Sequence, residues 1–390
     1  MKIKTIEDSD ITEVADLKFP EKDGNHVVQS IYADNWGIKA ARVYHGKNRL
    51  NDQIKMFEHE WPKNGNVITF DTSVLRMHDY LAAHTQSLRM CSHIDLVGTT
   101  YLLFSCGPEV GANGNDIPWG QTFGAFDAHI TTHLGDLRLA NGSMPGRLLG
   151  GFDDLFSKLS HGKSLTRLDF AVSPDHQTIT FMMADSDQNV AFAAYDMYDV
   201  AYQQALYSGR YDAKTNTFGY IPKVDLNKAI VSGFVPRATW ESVSQNDLVK
   251  DTKHYKHVSF QGVSRANSGT LYLASQFGPH YIVHRSELIE GLTFTQTTSS
   301  TICTAHSRGI YKIPEKGFIK NNSDLWTYYQ LPMTGSKIDM WLSNDDGRAV
   351  TELEDVQVIN DTELYLAVAY HEPDGEFTTI ANKVFKVKLR

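Results

Sequence analysis

Residues 165–195, LTRLDFAVSPDHQTITFMMADSDQNVAFAAY, contain three short apolar runs that are separated by turn sequences. The runs 165–172, 179–184 and 190–195 have the length of strands, and Pro, Asp and Asn occupy the segments between them. This pattern predicts three antiparallel strands joined by tight turns. One such unit cannot bury both of its faces alone, so we expect similar units elsewhere in the chain.

Similar units occur on both sides of this stretch. Two lie downstream, at 258–284 and 353–389, and two less regular ones lie upstream, at 27–44 and 93–104. Five antiparallel units arranged around one axis form a β-propeller, which leaves no long strand edge exposed. The sequence therefore predicts an all-β protein with a few short helices, a single five-bladed β-propeller over residues 1–390. A β-sandwich, or two β-domains, is the alternative.

Helices are expected only as connections between these units. Segment 71–88 begins with N-cap residues and has apolar residues at helical spacing, and 152–159 and 197–206 are shorter candidates. All three segments fall between the strand-rich units. We therefore predict three helices that join units instead of forming a core of their own.

Composition excludes several classes of protein. The 390 residues include 37 Lys and Arg against 46 Asp and Glu, a net charge of −9, so general nucleic-acid binding and adsorption to anionic lipid are both disfavoured. The hydrophobic content of 41% is enough for a large core. Only three cysteines are present, without a CxxC pair, which excludes a disulfide scaffold and a Cys-rich zinc site.

Neither a signal peptide nor a transmembrane segment is predicted. Acidic residues follow the first lysines, where a signal peptide needs an apolar stretch. The longest apolar runs, 101–104 and 364–370, are much shorter than the roughly 20 residues of a membrane-spanning helix. Taken alone, these features predict a cytoplasmic protein.

No metal or cofactor is predicted either. His129 and His133 have the spacing of a ligand pair on a helix, but their segment is β-branched and lacks the Glu of the HExxH motif. Segment 185–189 places Asp, Asp and Asn as a calcium loop would, but Val190 stands where that loop needs glycine. Polar packing explains the first pattern, and a hairpin turn explains the second. Nucleotide-binding glycine motifs and a nucleophile elbow are also missing from the sequence.

One polar position recurs at the start of the first strand of each unit. If that strand is the innermost one, these side chains surround the propeller axis, where a small ligand could bind and paired carboxylates such as Asp95 and Asp169 could perform acid–base chemistry. The simpler interpretation is that they hydrogen-bond buried strand ends. The five candidate ligand-binding residues are Gln29, Asp95, Asp169, Gln261 and Gln357.

Within these units the chain resembles the helveticin J family, the large bacteriocins of lactic acid bacteria. The stretches that carry the resemblance are EDVQVIN (354–360), LYLAVAYH (364–371), FAVSPD (170–175), SFQG (259–262) and GTLYLASQ (269–276). It covers roughly residues 160–390, whereas the first 90 residues carry little of it.

The resemblance implies a secreted, heat-labile antibacterial protein that damages the cell envelope of related Gram-positive bacteria. It also implies export without a recognisable signal peptide, and it brings no catalytic residues with it. Because the net charge is −9, we expect recognition of a surface receptor or glycan rather than charge-driven insertion. A carbohydrate-binding protein or glycosidase on the same scaffold is the alternative. Candidate sugar-stacking residues in or near predicted loops are Trp119, Trp240, Trp326 and Trp341.

Overall fold

The structure is a computed structural model of the chain, and strands make up most of it. Strands dominate because the sequence alternates short β-branched or aromatic runs with turn residues. The described residues are 1–20, 26–44, 53–78, 87–92, 100–106, 121–127, 146–205, 211–212, 217–218, 221–244, 258–277, 308–331, 337–340, 349–372 and 378–390.

The strands are numbered in chain order through the described residues. Those before residue 150 are β1 (Lys2–Thr5), β2 (Ile11–Lys18), β3 (Val28–Ala33), β4 (Gly37–Tyr44), β5 (Gln53–Glu60), β6 (Val67–Thr69), β7 (Leu75–His78), β8 (Leu88–Ser92), β9 (Thr100–Cys106), β10 (Thr122–Asp127) and β11 (Gly146–Leu149). Those that follow, up to residue 235, are β12 (Arg167–Val172), β13 (Thr178–Ala184), β14 (Val190–Asp196), β15 (Tyr211–Asp212), β16 (Thr217–Phe218) and β17 (Val231–Val235).

The remaining elements complete the second half of the chain. The last strands are β18 (Val258–Arg265), β19 (Leu271–Phe277), β20 (Arg308–Ile313), β21 (Thr327–Gln330), β22 (Val350–Asn360), β23 (Glu363–His371) and β24 (Thr379–Lys388). The helices are α1 (Phe152–Leu159), α2 (Met197–Ala205), α3 (Arg237–Ser244) and α4 (Glu315–Ile319). Short 3₁₀ turns lie at Asp8–Asp10, Leu226–Lys228 and Ser323–Leu325.

Five sheets of four or five strands form the blades of a propeller. Blade 1 has the strand order β3-β4-β5-β7, blade 2 β8-β9-β10-β11, and blade 3 β12-β13-β14-β17. Blade 4 is β18-β19-β20-β21-β1, and blade 5 is β22-β23-β24-β2-β6. The first strands of successive blades contact one another in the closed order β3, β8, β12, β18, β22 and back to β3. The predicted five-bladed β-propeller is therefore confirmed.

The N-terminal strands complete the last two blades. β2 pairs antiparallel with β24, from Ile11 opposite Val387 to Leu17 opposite Asn382. β1 pairs in parallel with β21 of blade 4. The two ends of the chain therefore share hydrogen-bonded sheets, and this closes the ring of blades.

Two of the predicted helices are confirmed, and the third is wrong. Segments 152–159 and 197–206 form α1 and α2. Within 71–88, however, Leu75–His78 is the outer strand of blade 1, and Leu88 begins the inner strand of blade 2. The apolar residues there fit a helical period, but cross-strand pairing with β5 and β9 overrides that local preference. The predicted strand at 93–97 lies outside the described residues.

Aromatic side chains fill the spaces between blades. Phe123 of blade 2 lies edge-on to Phe170 and Phe181 of blade 3, with ring centroids 5.0 and 5.2 Å apart. Phe152 of α1 packs on Phe181 at 4.6 Å. Each of these rings is 0–1% exposed, so each contributes on the order of 2–3 kcal/mol of hydrophobic stabilisation. The inserted helix α1 thus covers an interblade core, as expected of a connection.

Arg89 lies within the ring of inner strands and joins several of them. Arg89 of β8 is 3% exposed, and its Nη1 donates hydrogen bonds to the carbonyl oxygen of Ile31 and to Asp355 Oδ2, both at 3.1 Å. Its Nη2 donates to the carbonyl oxygens of Val263 (2.9 Å) and Val356 (3.0 Å). One guanidinium of blade 2 therefore contacts blades 1, 4 and 5.

Asp355 completes this central contact from the side of blade 5. It is fully buried, and besides Arg89 it accepts hydrogen bonds from the backbone N–H groups of Ile31 (3.0 Å) and Val356 (2.8 Å). Burial raises the pKa of its carboxyl to about 6, and the charge of Arg89 opposes that rise. Gly262 allows β18 to come this close, since a Cβ there would lie 2.6 Å from Asp355 Oδ1.

Closure by β2 predicts unequal effects for two isoleucines of the N-terminal strands. Ile11 on β2 is fully buried, whereas Ile3 on β1 is 43% exposed. Ile11→Ala is expected to lower the free energy of unfolding by about 2–5 kcal/mol, because it leaves a cavity. Ile3→Ala should change it by no more than about 0.5 kcal/mol. Chemical denaturation checks both values, and equal losses would contradict closure by β2.

The central contact predicts strong coupling between Arg89 and Asp355. Arg89→Met leaves a buried carboxylate without its cation and is expected to cost about 3–5 kcal/mol. Asp355→Asn in the Arg89→Met background should recover at least about 1 kcal/mol of that loss. Losses that simply add would refute the coupling. Lys223→Met, in an exposed ion pair with Asp154, is the control and should cost at most about 1 kcal/mol.

Candidate functional site

The structure places four of the five candidate ligand-binding residues on the inner strands of their blades. Gln29 lies on β3, Asp169 on β12, Gln261 on β18 and Gln357 on β22. Gln29, Asp169 and Gln261 are buried, and Gln357 is partly exposed. Asp95 lies outside the described residues. The four therefore share the inner ring of strands, as the sequence pattern predicts.

Gln357, Gln261 and Asp169 form hydrogen bonds beyond their own blade. The amide of Gln357 bonds both backbone groups of Ala33 in blade 1, with N···O distances of 2.7 and 2.6 Å. Gln261 Nε2 of blade 4 donates to Glu352 Oε1 of blade 5 at 3.0 Å. These contacts are the ones expected of residues that join neighbouring blades.

Asp169 is engaged in the same way, beside the inner strand of blade 2. Its Oδ2 accepts a hydrogen bond from Arg167 Nε at 2.5 Å, and its Oδ1 lies 3.4 Å from the Ser87 hydroxyl, which donates to it. Arg167 also reaches the carbonyl oxygen of Phe260 in blade 4. Ligand binding by these inner-ring residues stays a prediction, since the contacts seen here are all within the chain.

Single-residue bulges show how the inner strands correspond. The pairing of β3 with β4 skips Gln29, and the pairing of β18 with β19 skips Gln261. In β22 the residue skipped near the start of the strand is Glu354, while Gln357 follows it in regular pairing with Tyr365. A bulge re-aims the side chain of its extra residue. By this criterion the blade 5 counterpart of Gln29 and Gln261 is Glu354.

A surface cleft lies on blade 1, away from the inner-ring contacts. Its volume is about 340 Å³, and it is bordered by the end of β3, the β3–β4 turn and the end of β5. Side chains with both aromatic and polar character surround it. They include Tyr32, Asp34, Trp36, Lys39, Glu58 and His59.

The β3–β4 turn presents Trp36 to solvent in a fixed conformation. Asp34 Oδ1 accepts hydrogen bonds from the backbone N–H groups of Trp36 (2.8 Å) and Gly37 (3.0 Å). Gly37 is required for the close approach of β5, because a Cβ there would lie 2.2 Å from the carbonyl oxygen of His59. Trp36 itself is 84% exposed. An exposed indole on a braced turn is suited to contact a ligand.

A second tryptophan, Trp61, holds this turn by a hydrogen bond. Trp61 Nε1 donates to the carbonyl oxygen of Asp34 at 2.6 Å, and its ring lies 5.9 Å from that of Tyr365 in blade 5. Lys39 and Glu58 form an ion pair at the edge of the cleft. With Asp34 and Glu60 also present, the cleft carries a negative balance of charge.

Two of the tryptophans proposed from sequence as sugar platforms do not have that role. Trp240 and Trp326 are fully buried, and their rings lie 4.8 Å apart in the core between blades 3 and 4. The amphipathic character of tryptophan suits core and surface equally, so sequence alone did not separate them. Trp119 and Trp341 lie outside the described residues. Trp36 was missed, although its position in the turn sequence ADNWG is the available signal.

In the described residues, each helix is too short or too polar to cross a bilayer.

Several solved structures are similar to this chain at low identity. An α-L-arabinofuranosidase from Podospora anserina gives a TM-score of 0.41 and 7% identity, covering 97% of this chain and 98% of that one. The catalytic domain of a GH62 α-L-arabinofuranosidase from Coprinopsis cinerea gives 0.40 and 8%, covering 97% and 95%. A GH43 endo-arabinanase from Bacillus licheniformis gives 0.36 and 9%, covering 94% and 96%.

Sequence comparison extends the resemblance seen in the strand repeats. Bacteriocin helveticin-J from Lactobacillus helveticus is 25% identical over 230 residues, 58% of this chain and 55% of that protein. The match thus spans about half of the relative's length. The sequence profile of the family described as bacteriocin helveticin-J matches residues 23–390, well beyond the 160–390 expected. This chain therefore belongs to the helveticin-J family.

Proposed function

We propose that this protein is a secreted antibacterial protein that recognises a glycan on the envelope of related Gram-positive bacteria and then damages that envelope. Membership of the helveticin-J family over residues 23–390 is the observation that carries the antibacterial part of this proposal. The blade 1 cleft supports the recognition part.

The cleft combines the two kinds of group that bind sugars. The exposed face of Trp36 offers an apolar platform for the C–H groups of a pyranose ring. Asp34, Glu58 and His59 border the same space with groups that can hydrogen-bond sugar hydroxyls. Because the Asp34 side chain already fixes the turn, little conformational entropy is lost on binding.

The charge of the cleft favours one class of glycan. Lys39 is paired with Glu58, which leaves Asp34 and Glu60 to set a negative potential. A phosphate-rich polymer would be repelled by these carboxylates, whereas a neutral or amino-sugar glycan would not. We therefore assign recognition to a neutral or amino-sugar polysaccharide of the cell wall.

Removal of the Trp36 side chain should lower both the antibacterial activity and the affinity for cell-wall polysaccharide. Trp36→Ala is expected to weaken binding to purified cell-wall polysaccharide by about tenfold or more, because stacking and hydrophobic contact are lost. The variant should clear lawns of related lactobacilli only at correspondingly higher concentration. Tyr202→Ala, which removes a 56% exposed aromatic of α2 outside the cleft, should behave as the unmodified protein.

Three outcomes would count against the proposal. Inertness of the unmodified protein across a broad panel of related lawns would remove the antibacterial function. Equal binding by the Trp36→Ala and Tyr202→Ala variants would remove the cleft from recognition. Release of reducing ends from the polysaccharide would show catalysis and favour the glycosidase alternative over pure recognition.

A further inference from the structure

Two carboxylates and an imidazole converge where blade 5 begins its sheet. Glu352 and Glu354 lie near the start of β22, and His371 ends β23, where it pairs with Val350. One ligand atom from each of these three side chains lies within 4.8 Å of the other two. Glu352 Oε2 and His371 Nε2 are 3.1 Å apart. The three side chains thus face a common point.

Glu354 is the member of this cluster whose carboxylate oxygens lack hydrogen-bond donors among the described residues. It is a bulged residue of β22, and it is 1% exposed. Within the described part of the chain, neither of its carboxylate oxygens accepts a hydrogen bond from an N–H or hydroxyl group. A buried carboxylate without such donors is costly unless a proton or a cation neutralises it.

The other two side chains are held in place by hydrogen bonds from neighbouring elements. Glu352 Oε1 accepts from the amides of Gln261 (3.0 Å) and Gln276 (3.1 Å), which leaves Oε2 turned towards His371. His371 Nδ1 lies 3.3 Å from the Thr379 hydroxyl, so Nε2 faces the cluster. A partner on the second ring nitrogen is the arrangement that orients metal-binding histidines.

The donor set matches a divalent cation of the first transition series. Two carboxylate oxygens and one imidazole nitrogen suit Zn²⁺ or Mn²⁺, whereas Ca²⁺ and Mg²⁺ prefer oxygen ligands alone. Such an ion is bound at about 2.0–2.2 Å from each donor, so the three ligand atoms would have to rearrange around it. The Glu352 side chain is 19% exposed and gives the ion a route from solvent.

We propose that Glu352, Glu354 and His371 form a binding site for one divalent transition-metal ion. The site goes beyond the proposed antibacterial function, and its ligands come from β22 and β23. Through the amides of Gln261 and Gln276 on Glu352, a bound ion also stiffens the contact between blades 4 and 5.

The protonation of Glu354 is consistent with this site. Burial, followed by the charge of Glu352, raises the pKa of the Glu354 carboxyl well above its usual range.

Direct titration tests the site. Tag-free protein, stripped with EDTA and desalted, is titrated by calorimetry with ZnCl₂, MnCl₂ and CaCl₂ in turn. We expect one equivalent of Zn²⁺ to bind and Ca²⁺ not to bind. At a Zn²⁺ concentration of about 100 times the Kd, the Tm should rise by about 3 °C.

Substitutions locate the binding. Glu354→Gln and His371→Gln should each weaken Zn²⁺ binding by at least about 100-fold, and Thr379→Val by about tenfold through loss of ring orientation. Without metal, Glu354→Gln should be at least as stable as the unmodified protein, because it removes a buried carboxyl. His161→Asn, at an exposed histidine in a left-handed turn conformation, is the matched control and should bind Zn²⁺ normally.

Several results would overturn the proposal. The proposal is wrong if neither Zn²⁺ nor Mn²⁺ binds at millimolar concentration, or if Ca²⁺ alone binds. It is also wrong if the Glu354→Gln and His371→Gln variants bind Zn²⁺ as the unmodified protein does. If a variant of Glu354 or His371 fails to fold, the stoichiometry of the unmodified protein and the tenfold effect of Thr379→Val decide the matter.

Discussion

Arg89 makes its hydrogen bonds where the inner strands of the propeller meet. The inner strands of blades 1, 4 and 5 each bring a backbone carbonyl group within hydrogen-bonding distance of its guanidinium, which is almost fully buried. Arginine offers five N–H donors in a planar fork, and Arg89 uses its terminal nitrogens on carbonyl oxygens of blades 1, 4 and 5. Asp355 balances its charge. The packing of the blades at the axis depends on this pair.

The hydrogen bonds around Arg89 distinguish the centre of the molecule from the blade 1 surface that we propose binds a ligand. Gln261, Gln357 and Asp169 are all engaged with residues of the chain, as are Arg89 and Asp355. Buried polar contacts that join several blades in this way rigidify a fold. On blade 1, by contrast, Trp36 is exposed on a turn that Asp34 fixes, where it can contact a large external ligand. We propose that this rigid axis supports recognition of a surface polymer at the blade 1 turn.

Much of the fold could be predicted from local sequence patterns. Blade 3 is the clearest case, since the runs 165–172, 179–184 and 190–195 correspond to β12, β13 and β14 within a few residues. The closure by β1 and β2 could not be foreseen, because those strands pair with residues more than 300 positions away and carry no local signal of it. The helix predicted at 71–88 was wrong for the opposite reason. A local signal, the helical spacing of apolar residues, was present, but strand pairing with β5 overrode it.

The candidate site was less accessible to sequence reasoning. The recurring polar position located the inner strands, but a bulge is a matter of register between strands, and nothing local distinguishes Glu354 from Gln357. The cluster with His371 depends on the hairpin that brings residues 350 and 371 together. Trp36 was missed for a simpler reason. The side chain of tryptophan is the same whether it is exposed, as in Trp36, or buried, as in Trp240 and Trp326, so residue type alone does not distinguish them.

The central claim is that the protein meets its target through blade 1 and not through its axis. Hydrogen exchange of the backbone amides, with and without purified cell-wall polysaccharide from a sensitive strain, tests it most directly. We expect slower exchange in peptides that cover residues 32–39 and 58–61, with the inner strands unchanged because they are already protected. Protection confined to β8, β12, β18 and β22, with blade 1 unaffected, would contradict the account.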